Sequence, residues 1–135
     1  MPDVYLDSEG VIFDKNKPAN YAREFLKYIV PNFNTYWMVK NPQKTNIENL
    51  QLRFEPEIQL LLNRIKPTSW EVFRTEAIDL NRPFLWFGQS LNEPEREILD
   101  DYGLARNWVE VDFKKDENRL ADFLLKFPRP VGYDI

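Results

Sequence analysis

The sequence predicts an α/β fold, a three-layer Rossmann-like domain with a mostly parallel central sheet flanked by helices. Three observations carry this. Apolar runs of strand length alternate with segments whose apolar residues recur at helical spacing. No Asn-Gly or similar turn joins one run to the next as a hairpin would. The runs are also apolar at consecutive positions, as in strands covered on both faces. With 135 residues, 43% of them apolar and 15% aromatic, the chain suits one domain around one core. That domain is expected over residues 1–127, and 128–135 form a tail that begins at Pro128-Arg129-Pro130, where helix must stop.

The elements follow in order. Val4-Tyr5-Leu6 reads as a buried strand that stops at the polar cluster Asp7-Ser8-Glu9-Gly10. Val11-Ile12-Phe13 is too short for a helix before Pro18 and reads as a tight extended turn. A first helix has Asn20 as its cap, Ala22, Phe25, Leu26 and Ile29 on its apolar face, and Pro31 as its stop. Thr35 to Val39 is aromatic and β-branched, a second strand ending at Lys40. Residues 43–54 carry no clear pattern. Pro56 opens a second helix, with Ile58, Leu61, Leu62 and Ile65 on one face, running to about Lys66. Thr68-Ser69-Trp70-Glu71 has the form of a capping box and predicts a short helix ending near Thr75 or Glu76. Phe84-Leu85-Trp86-Phe87 is a third strand, and Asn92, Pro94 and Glu95 start a helix that Gly103 stops. Trp108 to Val111 is a fourth strand, and Asp116 caps a last helix carrying Leu120, Phe123, Leu124 and Phe127.

Composition narrows the chemistry. Twenty-two acidic residues against 18 basic ones leave a formal charge of -4, which disfavours a nucleic-acid partner. No apolar run approaches the ~18 residues that span a bilayer, and no basic stretch leads into one at the N-terminus, so no membrane partner and a cytoplasmic location are expected. The absence of Cys and His removes thiol nucleophiles, disulfides, imidazole bases and ordinary zinc sites. Carboxylates, hydroxyls, Lys and Arg remain, and any metal would be a hard cation on oxygen ligands.

In an open parallel sheet ligands bind at the carboxyl ends of strands. That nominates Asp7-Ser8-Glu9-Gly10, Val39-Lys40-Asn41, Gly88-Gln89-Ser90 and Asp112-Phe113-Lys114. Two carboxylates one residue apart just after a strand, Asp7 and Glu9, can divide the work of nucleophile or metal ligand and general acid/base. The plainer alternative is a solvated acidic turn.

An apolar strand ending in Asp-x-Glu-Gly-Val-Ile-Phe, residues 4–13, resembles the first motif of the haloacid dehalogenase-like superfamily of phosphohydrolases. The resemblance extends over roughly residues 3–126 in the order of strands and helices. It implies that Asp7 stands at the position of the phosphate-attacking nucleophile and Glu9 at that of the proton shuttle, with Mg²⁺ held by Asp7 and the Glu9 position. Gly10 to Phe13 correspond to the family's squiggle and flap. The short loops after the first strand leave no room for an inserted cap domain, and capless members tend to act on large or accessible substrates.

The remaining motifs depart from the family. Where it places a Ser or Thr after the second strand, Met38-Val39-Lys40 offers no hydroxyl, and Thr35 lies too early. Its lysine has its nearest equivalent in Arg74, which keeps the charge without the point geometry. Its metal-binding acids after the third strand are replaced by Gly88-Gln89-Ser90. Gln89 is then the remaining candidate metal ligand there, with Asp112 as a substitute. Mg²⁺ is expected to be weakly held, and no organic cofactor is expected. Lys40 and Arg74 are the candidate phosphate-binding residues, and Asp7, Lys40 and Gln89 are expected in one cluster. The expected function is a catalytically impaired relative that binds a phosphorylated ligand or a protein partner. An active Mg²⁺-dependent phosphatase using Asp7, and a purely structural or interaction domain, are the alternatives. On the same logic, Gly88→Asp with Val39→Thr is expected to restore Mg²⁺ affinity.

Overall fold

A computed structural model of the protein describes residues 1–15, 17–38 and 51–126. Five strands form one sheet: β1 (Asp3–Leu6), β4 (Asn34–Trp37), β5 (Lys66–Pro67), β6 (Phe84–Gly88) and β7 (Trp108–Glu110). Their order is β5-β4-β1-β6-β7, and every neighbouring pair is parallel. A separate two-stranded ribbon pairs β2 (Phe13–Asp14) antiparallel with β3 (Lys17–Pro18). The helices are α1 (Ala22–Asn32), α2 (Pro56–Leu62), α3 (Glu93–Asp101) and α4 (Arg119–Lys126), with 3-10 turns at Arg74–Ala77 and Ala105–Asn107.

The centre of the sheet follows from side-chain alternation. All four residues of β1 are buried, and its neighbours along the strand face opposite layers. Val4, Leu6 and Phe87 join Phe25, Leu26, Ile29, Ile58, Leu62, Leu120 and Phe123 in the larger core, beneath α1, α2 and α4. Tyr5, Phe84 and Trp86 join Leu99 and Ile78 in a smaller core beneath α3. Each large aliphatic or aromatic side chain fully buried in this way contributes roughly 1.5–3 kcal/mol. Tertiary burial, not helix propensity, therefore holds a helix as short as α2.

Several expectations are corrected. Val11 and Ile12 form the expected turn, but Phe13 and Asp14 then pair antiparallel with Pro18 and Lys17 as a short ribbon, with Lys15 at φ 54. Helix α1 starts after Tyr21, at φ 65, and not at an Asn20 cap; the Asn20 amide donates to Asn118 instead. It also ends one residue beyond Pro31. The second helix stops at Leu62, and Lys66 and Pro67 pair with Tyr36 and Trp37 as a fifth strand.

No helix begins at Thr68. Its hydroxyl donates to the Trp37 carbonyl at 2.6 Å, alongside the Thr68 backbone bond to the same oxygen, so the side chain extends the sheet instead of capping. The capping role passes to Glu76, whose carboxylate accepts from the amides of Glu71, Val72 and Phe73. The start signal at Asn92 holds, since its side chain accepts from Glu95 N at 2.9 Å while Glu95 reaches back to Asn92 N. Gly103, at φ 69, follows α3 as its stop. Lys40, the Val39 end of the second strand and Phe127 lie outside the described residues. No helix among the described residues is long and apolar enough to cross a membrane.

Candidate functional site

Asp7 leaves the carboxyl end of the central strand. Its register partners place Leu6 opposite Trp37 on one side and Phe87 on the other, and the ladder continues through Met38 N to Leu6 O and Asp7 N to Phe87 O. The loop then tightens. Ser8 O accepts from the amides of Ile12 and Phe13, and Gly10 N donates to Phe13 O at 2.7 Å. Gly10 needs its φ of +86, and a Cβ there would stand 2.8 Å from Gln89 Oε1. The loops after β1 and β6 are therefore in contact, which brings Asp7, Gly88 and Gln89 to one place at the sheet edge.

Both carboxylate oxygens of Asp7 are engaged. Oδ1 accepts from Trp86 Nε1 at 3.2 Å, and Oδ2 accepts from Arg74 Nη1 at 2.7 Å. Arg74 is itself bound on its other edge. Its Nε and Nη2 donate to the two oxygens of Glu95 at 3.0 and 2.8 Å, its backbone N donates to Glu95 Oε2, and Nη2 also donates to Ser90 O. The guanidinium stacks on the Trp86 ring, 4.8 Å from its centroid. Side-chain exposures of 13% for Asp7, 19% for Arg74 and 1% for Glu95 make this a largely dry network of two acids on one base.

The charges respond accordingly. Burial opposes the charge on all three groups. At Glu95 the hydrogen bonds from Arg74 and from the Arg74 and Asn92 amides outweigh burial and hold the carboxyl below its ordinary value. At Arg74 the two acids outweigh it and raise the pKa. At Asp7 burial wins over Arg74 and Trp86, and the carboxyl is pushed up to about 6. One guanidinium serves two carboxylates, and Glu95 holds the larger share.

Of the other anticipated residues, Glu9 is exposed on the turn, where its backbone bridges to Phe13. Gln89 is exposed beside Gly10. Lys40 is outside the described residues. Asp112 lies in a separate cleft with Glu110, Lys115, Asp116 and Arg119, and its Oδ1 accepts from Lys114 N. Two site residues carried no sequence signal for this role. Glu95 was legible only as a helix-start acid and Trp86 only as core, because their partners stand 21 and 79 residues away along the chain.

The family resemblance implies a divalent cation beside Asp7, and the residues present do not fit one. The outer oxygen of Asp7 that would ligate it already faces a guanidinium at 2.7 Å. The position of the second acid is Gly88, where even a Cβ would come within 2.6 Å of Asp7 Oδ2 and 2.5 Å of Trp108 Cη2. An Asp side chain at Gly88 would require the Trp108 ring and the Asp7 carboxylate to shift, so the expected gain in Mg²⁺ affinity from Gly88→Asp depends on that movement. Among the described residues no three acids converge as a metal site. No family profile, curated protein or solved structure matches the chain.

Proposed function

We infer that this chain is a haloacid dehalogenase-like domain that has given up hydrolysis and serves in binding. The observation that carries the reading is the double engagement of Asp7 by Trp86 and Arg74. A nucleophilic carboxylate must present an unshared lone pair in line with phosphorus, and a cation must neutralise charge on the transferring oxygens. Here the Asp7 oxygens are turned to an indole N–H and a guanidinium. Arg74, the expected phosphate anchor, spends its charge on Glu95 and Asp7. A phosphorylated ligand would meet two acids sharing one base at this edge, which disfavours it beside Asp7.

The test is turnover. Wild-type protein with Mg²⁺ and a generic phosphomonoester is expected to run at least ~100-fold below the median enzyme rate of about 10 s⁻¹. Asp7→Asn is expected to leave that background unchanged. Ordinary Mg²⁺-dependent turnover abolished by Asp7→Asn would establish the phosphatase reading in its place.

A further inference from the structure

The face of the sheet opposite α1 and α2 carries a second cleft. Residues i and i+2 of a strand share a face, so Asp3 and Tyr5 of β1 lie beside Asn34 and Tyr36 of β4. Among the described residues α3 is the only helix in the core on this face, through Leu99, and the segment between β5 and β6 contains no α-helix. A cleft of about 630 Å³ remains, within the size range of ligand sites. The stacked rings of Tyr5 and Tyr36, 5.2 Å apart, line it together with the chain leaving β5 and the chain leading into β6. None of Asp7, Arg74, Trp86 and Glu95 contributes to it.

Three carboxylates and one guanidinium line this cleft, a net of two negative charges. Arg82 is committed to Asp3, donating to its two oxygens at 3.1 and 3.3 Å. Glu76 and Asp79 are in no ion pair among the described residues. The amides of Phe73, Glu71 and Val72 hold the Glu76 carboxyl below its ordinary range, which keeps it charged. Asp79 spends one oxygen on the amide of Asn81. The Tyr5 hydroxyl, on a side chain 3% exposed, accepts from Asp79 N at 3.2 Å, and its own hydrogen has no acceptor among the described residues. The cleft therefore offers carboxylates to a cation, tyrosine rings beside them, and a buried donor to a neutral acceptor. An arginine residue within a peptide meets all three, since its planar guanidinium forks onto carboxylates and lies against aromatic rings while the backbone carbonyls accept. An anionic ligand would meet the net negative charge.

We propose that this cleft takes an arginine of a partner protein, presented in an extended segment, with the guanidinium at Asp79 and Glu76 beside Tyr36 and a backbone carbonyl at the Tyr5 hydroxyl. The inference goes beyond the non-hydrolysing reading and uses none of its residues. Phosphatase turnover at Asp7 would remove that reading and leave the arginine cleft standing.

The probe is the blocked tripeptide acetyl-Ala-Arg-Ala-amide, titrated into isotope-labelled full-length protein and followed by amide NMR. Saturable shifts are expected at Ser69, Ala77 and Asp79, which line the cleft. The same peptide with citrulline in place of arginine keeps the shape without the charge and is expected to bind about tenfold more weakly. Asp79→Asn retains an oxygen for the Asn81 amide, so the turn is kept, and is expected to lose about tenfold in affinity for the arginine peptide. Tyr36→Leu is expected to weaken binding by a smaller factor. Asp101→Asn, an exposed change of the same charge on α3, is expected to bind as the wild type does. Equal binding of the arginine and citrulline peptides would overturn the proposal. So would the absence of saturable shifts in the cleft, or an Asp79→Asn chain that binds no more weakly than Asp101→Asn.

Discussion

Asp7 is a residue whose charge is set by what it touches. Its carboxyl titrates near 6 in the folded protein because burial outweighs Arg74 and Trp86. An unfolded Asp titrates near ~3.9, so the native state binds the proton more tightly and Asp7 contributes a stability that is full below about pH 4 and lost as pH rises through about 6. The size of that loss is at most about 3 kcal/mol. Urea unfolding of wild type and Asp7→Asn between pH 4 and 7 is expected to show the wild type's relative stability falling over that window and levelling above it. Glu95 acts in the opposite sense, since its carboxyl is held down and its contribution is lost on acidification below the ordinary carboxylate range. Arg74→Ala leaves a 1%-exposed Glu95 without its counter-charge, an expected cost of about 3–5 kcal/mol at neutral pH that shrinks in acid, measured by the same unfolding curves. The sequence made Asp7 and Arg74 visible through their motif positions. It could not show that they bond each other, because that contact joins residues 67 apart.

Elements with strong local chemistry were legible, and those fixed by the sheet were not. Asn92-Glu93-Pro94-Glu95 forms the helix start that its spacing predicts, because both halves of the box are satisfied locally. Thr68 to Glu71 carries the same pattern and forms no helix there, because the Thr68 hydroxyl finds a strand carbonyl, Trp37 O, 31 residues away. The two-residue strand β5 is likewise a tertiary effect, with Pro67 sitting at the outer edge of the sheet, where its missing N–H does no harm. At the end of β6 the backbone passes so close to Trp108 and Asp7 that a side chain at Gly88 would force the Trp108 ring and the Asp7 carboxylate to move. Gly88→Ala is expected to cost about 1–3 kcal/mol by overpacking, and Trp108→Phe in the same chain to recover part of it, as read from thermal melts. Equal stability of Gly88→Ala and wild type would show that the Trp108 ring yields freely.

For the molecule as a whole, alternation of apolar runs with helical periods was enough to predict an α/β fold with a parallel sheet, because burial on both faces is written into consecutive residues such as Val4-Tyr5-Leu6, which form the central strand. It was not enough to show how the carboxyl edge is wired. The motif positions predicted a reduced version of a phosphohydrolase site, whereas the structure has an internal ion network in which a guanidinium stands beside Asp7. That difference is decided by a crystal of the wild-type protein soaked in Mg²⁺ and orthovanadate, which mimics a phosphoryl group in transfer. The expected density keeps Arg74 Nη1 on Asp7 Oδ2, with no cation and no vanadate at that carboxylate. A cation ~2.1 Å from Asp7, with vanadate in line and Arg74 displaced, would contradict it.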